Sequence, residues 1–251
     1  MLSVSVITCT WNSEPYIAQC IASVAAQQYR ALEHVFVDGG SDDGTLDRIR
    51  AESGRARWVT GVKGGISNAM NEGVRLAGGD VIAHLHGDDY YLSPNVIEDV
   101  AREMESTGAR WLFGRIVSDI DGRQVPLPWR MPRYSAARLI AGNFIPHPAT
   151  FVRRDLFEQA GGFDSSLRYA MDYDLWLRLS RIAPAIFLDA QLAAFRRHSG
   201  GASTANALAA FEEDHEVRLR YVSGVVPKWG HDLIHVWRRL RIHGQFRRRS
   251  F

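Results

Sequence analysis

The chain has 251 residues, 46% of them hydrophobic and 23% charged, with a formal net charge of +2. That length suits one α/β domain with a full core, or one domain with a small appendage, and the composition excludes a disordered chain. A net charge this small carries no signal for nucleic acid.

Leu2 to Thr8 alternates and is rich in Val and Ile, which reads as a strand. No basic stretch precedes it, and Ser3, Ser5 and Thr8 interrupt its apolar run, so it is not expected to be a signal peptide. Asn12-Ser13-Glu14-Pro15 supplies a turn and a helix start. The helix is expected from Tyr16 to Gln28, with Ile17, Cys20, Ile21 and Val24 on one face. His34 to Asp38 is a short apolar strand ending on an aspartate. Gly39-Gly40-Ser41 turns, and Ser41 or Asp42 is placed to cap a helix over Gly44 to Glu52.

Arg57 to Val62 forms a weaker strand, Gly64-Gly65 precedes a helix from Ile66 to Leu76, and Gly78-Gly79 stops it. Asp80 to His86 is the fourth strand, and a helix over Pro94 to Ser106, a strand over Trp111 to Val117 and a turn at Asp121-Gly122 follow. Strand and helix therefore alternate four times, which implies a parallel sheet covered by helices on both faces. Ligands of such sheets bind beyond the carboxyl ends of the strands. Thr8, Asp38, His86 and Asp88 end these strands, so topology alone predicts one site there.

The second half reads as less regular. Pro126, Pro128, Pro132, Pro146 and Pro148 mark an extended, loop-rich region interrupted by a helix over Ser135 to Ala141. Further helices are expected over Asp172 to Arg181, Asn206 to Val222 and Trp229 to Ile242. There is no internal repeat. Cys9 and Cys20 have no metal-ligand spacing and read as buried free thiols of a reducing compartment, so the expected location is cytoplasmic. No window approaches the length of a membrane span. After Asp232 there is no acidic residue, while Arg238, Arg239, Arg241, Arg247, Arg248 and Arg249 are all basic. This end is either a helix docked on the domain or an interfacial helix at an anionic membrane face.

Several residues carry chemistry. Asp38, at a strand end before a Gly-Gly turn, is placed either to accept hydrogen bonds from a ligand or to cap the turn. Thr8, Thr10 and Asn12 follow the first strand and either line the same pocket or serve the turn. Asp88-Asp89 offers the hard oxygen ligands that suit Mg²⁺ or Mn²⁺ bound to a phosphate. Glycines at Gly64 and Gly65, with Asn68 and Asn71 after them, open a helix N-terminus, which favours anions. Asp172 is either a base or a helix cap. Arg196 and Arg197 are candidates to pair with phosphates.

Four segments together resemble the inverting glycosyltransferases of family 2, with the GT-A fold, of the bacterial polysaccharide-biosynthesis type. They are Val4 to Ser13 (close to "vSIItptyN"), Val37 to Thr45 (close to "vDGgStDgT"), Gly64 to Gly73 followed by Gly79-Asp80 and Gly87-Asp88-Asp89, and Gly161 to Asp164 leading to Met171 to Arg178. They span roughly residues 3 to 200. The resemblance implies a mostly parallel, Rossmann-like sheet in a GT-A domain over 1–205. Its nucleotide-sugar half would lie at about 1–120 and its acceptor half at about 121–205, before a C-terminal helical extension at 206–251.

It further implies a metal-dependent glycosyltransferase of hexosyltransferase type. The donor would be a nucleotide-diphosphate sugar, and the acceptor a polysaccharide or lipid-linked oligosaccharide. In the family's pattern Asp38 contacts the nucleotide base, and Gly64, Gly65, Asn68 and Asn71 contact donor sugar and diphosphate. Asp88, with Asp89 and His198, would hold Mg²⁺ or Mn²⁺, and Asp172 would be the catalytic base. Apart from the family's pattern, Asn143, His147 and Thr150 are candidates to face the acceptor, though His147, between two prolines, reads first as structural. Two departures stand out: His86 occupies the first position of the Asp-x-Asp motif, and Met171 the first position of the acidic pair. These substitutions also fit a nucleotide-sugar-binding protein of the same fold that has lost turnover.

Overall fold

A computed structural model of the chain describes residues 1–52, 56–127, 130–198, 200–201 and 206–222. The expected helix over Trp229 to Ile242 and the basic tail lie outside the described residues. Four strands come first: β1 (Val4–Thr10), β2 (Leu32–Asp38), β3 (Arg57–Val59) and β4 (Val81–His84). Between them run α1 (Glu14–Ala25), α2 (Thr45–Glu52) and α3 (Gly65–Leu76). The strands pair in parallel in the order β3-β2-β1-β4, as the alternation of strand and helix requires.

Beyond β4 the sheet becomes mixed. The remaining strands are β5 (Tyr90–Tyr91), β6 (Trp111–Ile120), β7 (Arg123–Pro126), β8 (Thr150–Arg153) and β9 (Ile186–Arg197). β8 lies antiparallel between β4 and β6, β7 pairs antiparallel with β6, β9 runs parallel to β6, and the short β5 pairs antiparallel with β9. The second half is therefore less loop-rich than expected, since β8 and the long β9 extend the central sheet. Helices α4 (Val96–Thr107), α5 (Ala136–Ala141), α6 (Arg154–Gln159), α7 (Met171–Ile182) and α8 (Ala207–Tyr221) complete the described chain.

Every residue of β1 is buried, because helices cover both faces of the strand. On one face Ile7, Val35 and Val37 pack with Met70 of α3 and with α7 residues such as Leu175 and Trp176. On the other, Val4, Val6 and Phe36 pack with Ile17, Cys20 and Val24 of α1 and with Ile97 and Val100 of α4. Helix α3 lies so close to the sheet that a Cβ at Gly73 would sit 2.3 Å from Ile7 Cγ2. Only glycine allows that approach.

Local capping sets the loops at the carboxyl edge. Asp43, and not Ser41 or Asp42, accepts the N–H of Thr45 at 3.0 Å and also that of Glu14, at 3.1 Å, at the head of α1. Gly64 and Gly65, with φ of 95° and 83°, turn the chain into α3 in a left-handed conformation that suits glycine.

Candidate active site

The carboxyl ends of β1, β2 and β4 form one edge. β1 ends at Thr10, β2 at Asp38, and β4 runs on through Leu85 and Gly87, whose amides donate to the carbonyls of Ile7 (3.0 Å) and Cys9 (3.4 Å). Asp38 is buried and accepts from Thr10 Oγ1 (3.1 Å), Ser41 Oγ (2.5 Å), Thr60 Oγ1 (2.7 Å) and the amides of Gly40 (2.8 Å) and Ser41 (2.9 Å). Burial alone would raise its pKa, but the bonds from Ser41, Thr60 and Gly40 outweigh that and hold the carboxyl below its usual value. All of its strong acceptor sites are used, so its first task is to fix the turn. Asn12, at φ 50°, ties the same loops, with its amide on Ser41 Oγ (2.9 Å) and its side chain accepting from Asp42 N (3.1 Å).

Several expected contacts are redirected by packing. Thr8 is fully buried, and its hydroxyl is 2.8 Å from His34 Nε2 inside the layer under α1, so it does not line the cleft. Asn71 spends both ends of its amide on Phe163, donating to the carbonyl and accepting the N–H, each at 2.9 Å. It holds the Gly161-Gly162 turn. Asn68 donates to the Lys63 carbonyl at 2.6 Å, steadying the loop ahead of α3.

Asp88 and Asp89 part company. Asp88 Oδ2 meets His198 Nε2 at 2.9 Å, and the His198 ring rests on Tyr16 with centroids 4.5 Å apart. Asp89 turns inward, is 1% exposed, and accepts the Arg196 amide of β9 at 3.0 Å. Burial, reinforced by the Asp88 charge, pushes its pKa well up. Its carboxyl is thus engaged with β9, whereas that of Asp88 meets His198. The guanidinium of Arg196 is likewise engaged, 3.4 Å from Asp119 and stacked over Tyr16 and Tyr90 at 4.9 and 5.3 Å. Arg197 beside it is exposed.

His86 stacks on His147, with centroids 4.9 Å apart and planes within 5°. Burial pulls the pKa of both rings down, so both are neutral near pH 7. His147 in turn lies 6.1 Å from Trp176 of α7, so packed rings connect the Asp88 loop to that helix. One turn ahead of Trp176 stands Asp172. Burial pushes its carboxyl up to about 7, against a bond from Tyr173 N (2.6 Å) and with the Asp214 charge adding to the rise. Asn143 also hydrogen-bonds this carboxyl. Thr150 is buried and donates to the Pro146 carbonyl at 2.7 Å. Asp174 faces elsewhere and pairs with Arg178 at 2.7 Å.

Two further residues stand near this edge to which the motifs assign no role. Trp11 is 72% exposed at the end of β1, beside Gly39. Lys63 reaches the Gly39 carbonyl with Nζ at 3.1 Å. Lysine is scarce here, with only Lys63 and Lys228 in an arginine-rich chain, and that scarcity was the available signal.

Residues 5–161 match the family described as Glycosyl transferase family 2. An uncharacterized glycosyltransferase of Mycobacterium tuberculosis (strain CDC 1551 / Oshkosh) is 30% identical over 200 residues, covering 77% of this chain and 74% of the relative. Chondroitin synthase of Escherichia coli is 31% identical over 187 residues, covering 72% of this chain but only 27% of that protein. Among solved structures, S. aureus TarS 1-349 in complex with UDP-GlcNAc superposes with a TM-score of 0.72 at 21% identity, covering 93% of this chain and 70% of that one. The mannosyltransferase PcManGT from Pyrobaculum calidifontis, in complex with GDP-Man and Mn²⁺, gives 0.71 at 18% identity, again covering 93% and 70%. The fold is thus GT-A, and the chain belongs to glycosyl transferase family 2.

Proposed function

We propose that the chain transfers one sugar, with inversion, from a nucleotide-diphosphate sugar to a polysaccharide or lipid-linked oligosaccharide hydroxyl, with Asp172 as the base. The observation that carries this reading is Asp172 itself. It is a carboxylate at the head of α7, raised to about 7, connected through Trp176, His147 and His86 to the Asp88–His198 pair. A general base is most effective when its pKa lies near the working pH. Asp172 accepts the acceptor's proton as the acceptor oxygen bonds to the sugar carbon. The bond from that carbon to the diphosphate breaks, and its electrons leave with the phosphate.

Asp88 and His198 fit a divalent ion. Among the described residues no three metal-ligating side chains converge. However, Mg²⁺ commonly binds one or two carboxylates plus substrate phosphates, and Mn²⁺ shares that preference for oxygen donors. Asp88 with His198 would hold the ion, which when bound neutralises charge on the departing diphosphate. On the donor side, Trp11 offers an exposed aromatic face for the base, and Lys63 and Arg197 offer cations for phosphate. Complexes of the two structural relatives with UDP-GlcNAc and with GDP-Man and Mn²⁺ support this class of donor. The tail beyond the described residues is proposed to meet the membrane face where a lipid-linked acceptor would lie.

Transfer is measured with nucleotide sugars, with and without EDTA, for the wild type, Asp88→Ala and Asp172→Asn. Loss of transfer in both variants is expected, and full activity in both rejects the assigned roles. A second reading, a nucleotide-sugar-binding protein without turnover, draws on His86 and Met171 standing where the family has acids. Calorimetric binding with no transfer from any donor would favour it.

A further inference from the structure

Helix α7, which carries Asp172 in its first turn, starts from Ala170, which offers no capping side chain; within the turn Asp172 itself accepts the Tyr173 amide. The amides of residues 168–170, which lead into the first turn, lie outside the helix's own hydrogen-bond ladder. Here their acceptor arrives from α8. Glu213 takes the N–H of Arg168 on both oxygens (3.0 and 3.1 Å), and those of Tyr169 (2.6 Å) and Ala170 (2.7 Å) on Oε2. One carboxylate thus gathers three successive amides, two residues before Asp172.

The rest of α8 is fastened to the same region. Tyr221 donates to Asp174 Oδ1 at 2.9 Å, and Arg220 reaches Asp164 at 3.1 Å. Asp214 pairs with the buried Arg218 at 3.0 Å, and its charge bears on Asp172. A helix capped by its own preceding residue keeps its first turn wherever the local chain goes. The segment leading into α7 is instead held from another helix, so the seating of α8 bears on where Asp172 stands.

We infer that Glu213 is a positioning residue for the base: it locks residues 168–170 and thereby fixes the Asp172 carboxylate against the acceptor. This inference rests on the reading of Asp172 as the base. The groups shown to bear on that carboxylate are Asp214 from α8, Asn143 from the segment after α5, and the Tyr173 amide of α7 itself.

The test uses the full chain with Glu213→Ala and Glu213→Gln, beside Asp172→Asn. Amide hydrogen exchange at Arg168, Tyr169 and Ala170, transfer kcat and KM, and the pH profile of kcat are measured. In Glu213→Ala the three amides should exchange faster. A carboxylate misplaced by an ångström costs on the order of 10²-fold in rate, so kcat should fall by about that factor while the donor KM stays within about twofold. The acid limb of the kcat profile should move. Glu213→Gln keeps one acceptor oxygen at the same reach and should recover part of kcat and of the protection. A folded Glu213→Ala with wild-type kcat and pH profile, or with unchanged exchange at the three amides, overturns the inference. If Glu213→Ala does not fold, Glu213→Gln decides: unchanged exchange and kcat reject the role, and faster exchange with lower kcat supports it. Retained transfer in Asp172→Asn would overturn the base assignment instead, and the exchange readout stands apart from turnover.

Discussion

A carboxylate that works as a base must be deprotonated without being stabilised so far that it loses proton affinity. Asp172 meets that condition by burial, which lifts its pKa from 3.8 to about 7. Transfer should therefore fall as the pH drops through about 7, and a pH profile of kcat checks the limb. The same burial carries a stability cost whose sign follows directly. A folded-state pKa raised above the unfolded value gives stability that is present below the unfolded pKa and lost as pH rises through the folded one. Asp172→Asn removes the ionisation, so it should melt higher than the wild type at pH 8 and lose that advantage near pH 4. The gain is at most about 4 kcal/mol, because each tenfold change in proton affinity corresponds to about 1.36 kcal/mol and neighbouring groups relax. Calorimetry at the two pH values measures it. Asp38 shows the opposite balance, since hydrogen bonds overcome burial there and keep the acid ionised. An aspartate in the sequence carries no mark of which balance applies. At Asp89 the residue type suited a metal ligand, but packing turned the side chain toward β9.

Helices and strands differ in how far they announce themselves. The β1 to β4 half was legible because β-branched strands, glycine stops and amphipathic helices follow one another at short range. Strands β8 and β9 were not, because neither alternates cleanly. β9 mixes exposed, half-buried and buried residues along its length, since it pairs with β6 on one side and only with the two-residue β5 on the other. Proline-rich flanks strengthened the impression of loops. Packing between elements also explains glycines that motif matching leaves unassigned. Gly73→Ala would force a methyl into Ile7 and Val37, so it should destabilise the protein by about 1–3 kcal/mol, as overpacked cores do. Urea unfolding of that variant checks the loss, and Gly65→Ala, whose Cβ would meet no neighbour, separates crowding from the strain of a left-handed turn.

At the scale of the molecule, the sheet brings three strand ends to one edge, and in the second half of the chain α8 packs on α7. A ligand that binds only the folded form adds stability by mass action, about 2.7 kcal/mol at a hundredfold excess over Kd. Thermal shift with UDP or GDP and Mn²⁺ should therefore raise Tm. Asp88→Ala should lose the part of the shift that EDTA removes, and Trp11→Ala should weaken the nucleotide's own part. No shift with either nucleotide would count against a donor site at this edge. The order of motifs along the chain was enough to determine the family and the parallel half-sheet. Those features come from local patterns of burial, turn chemistry and chain direction. Tertiary structure alone decided that Asp88 pairs with His198 while Asp89 does not, that Thr8 and Asn71 bond within the packed layers, and that Glu213 holds the segment leading into the helix of Asp172. Each is a contact between residues far apart in sequence, whose direction depends on which faces the sheet and helices bury against one another.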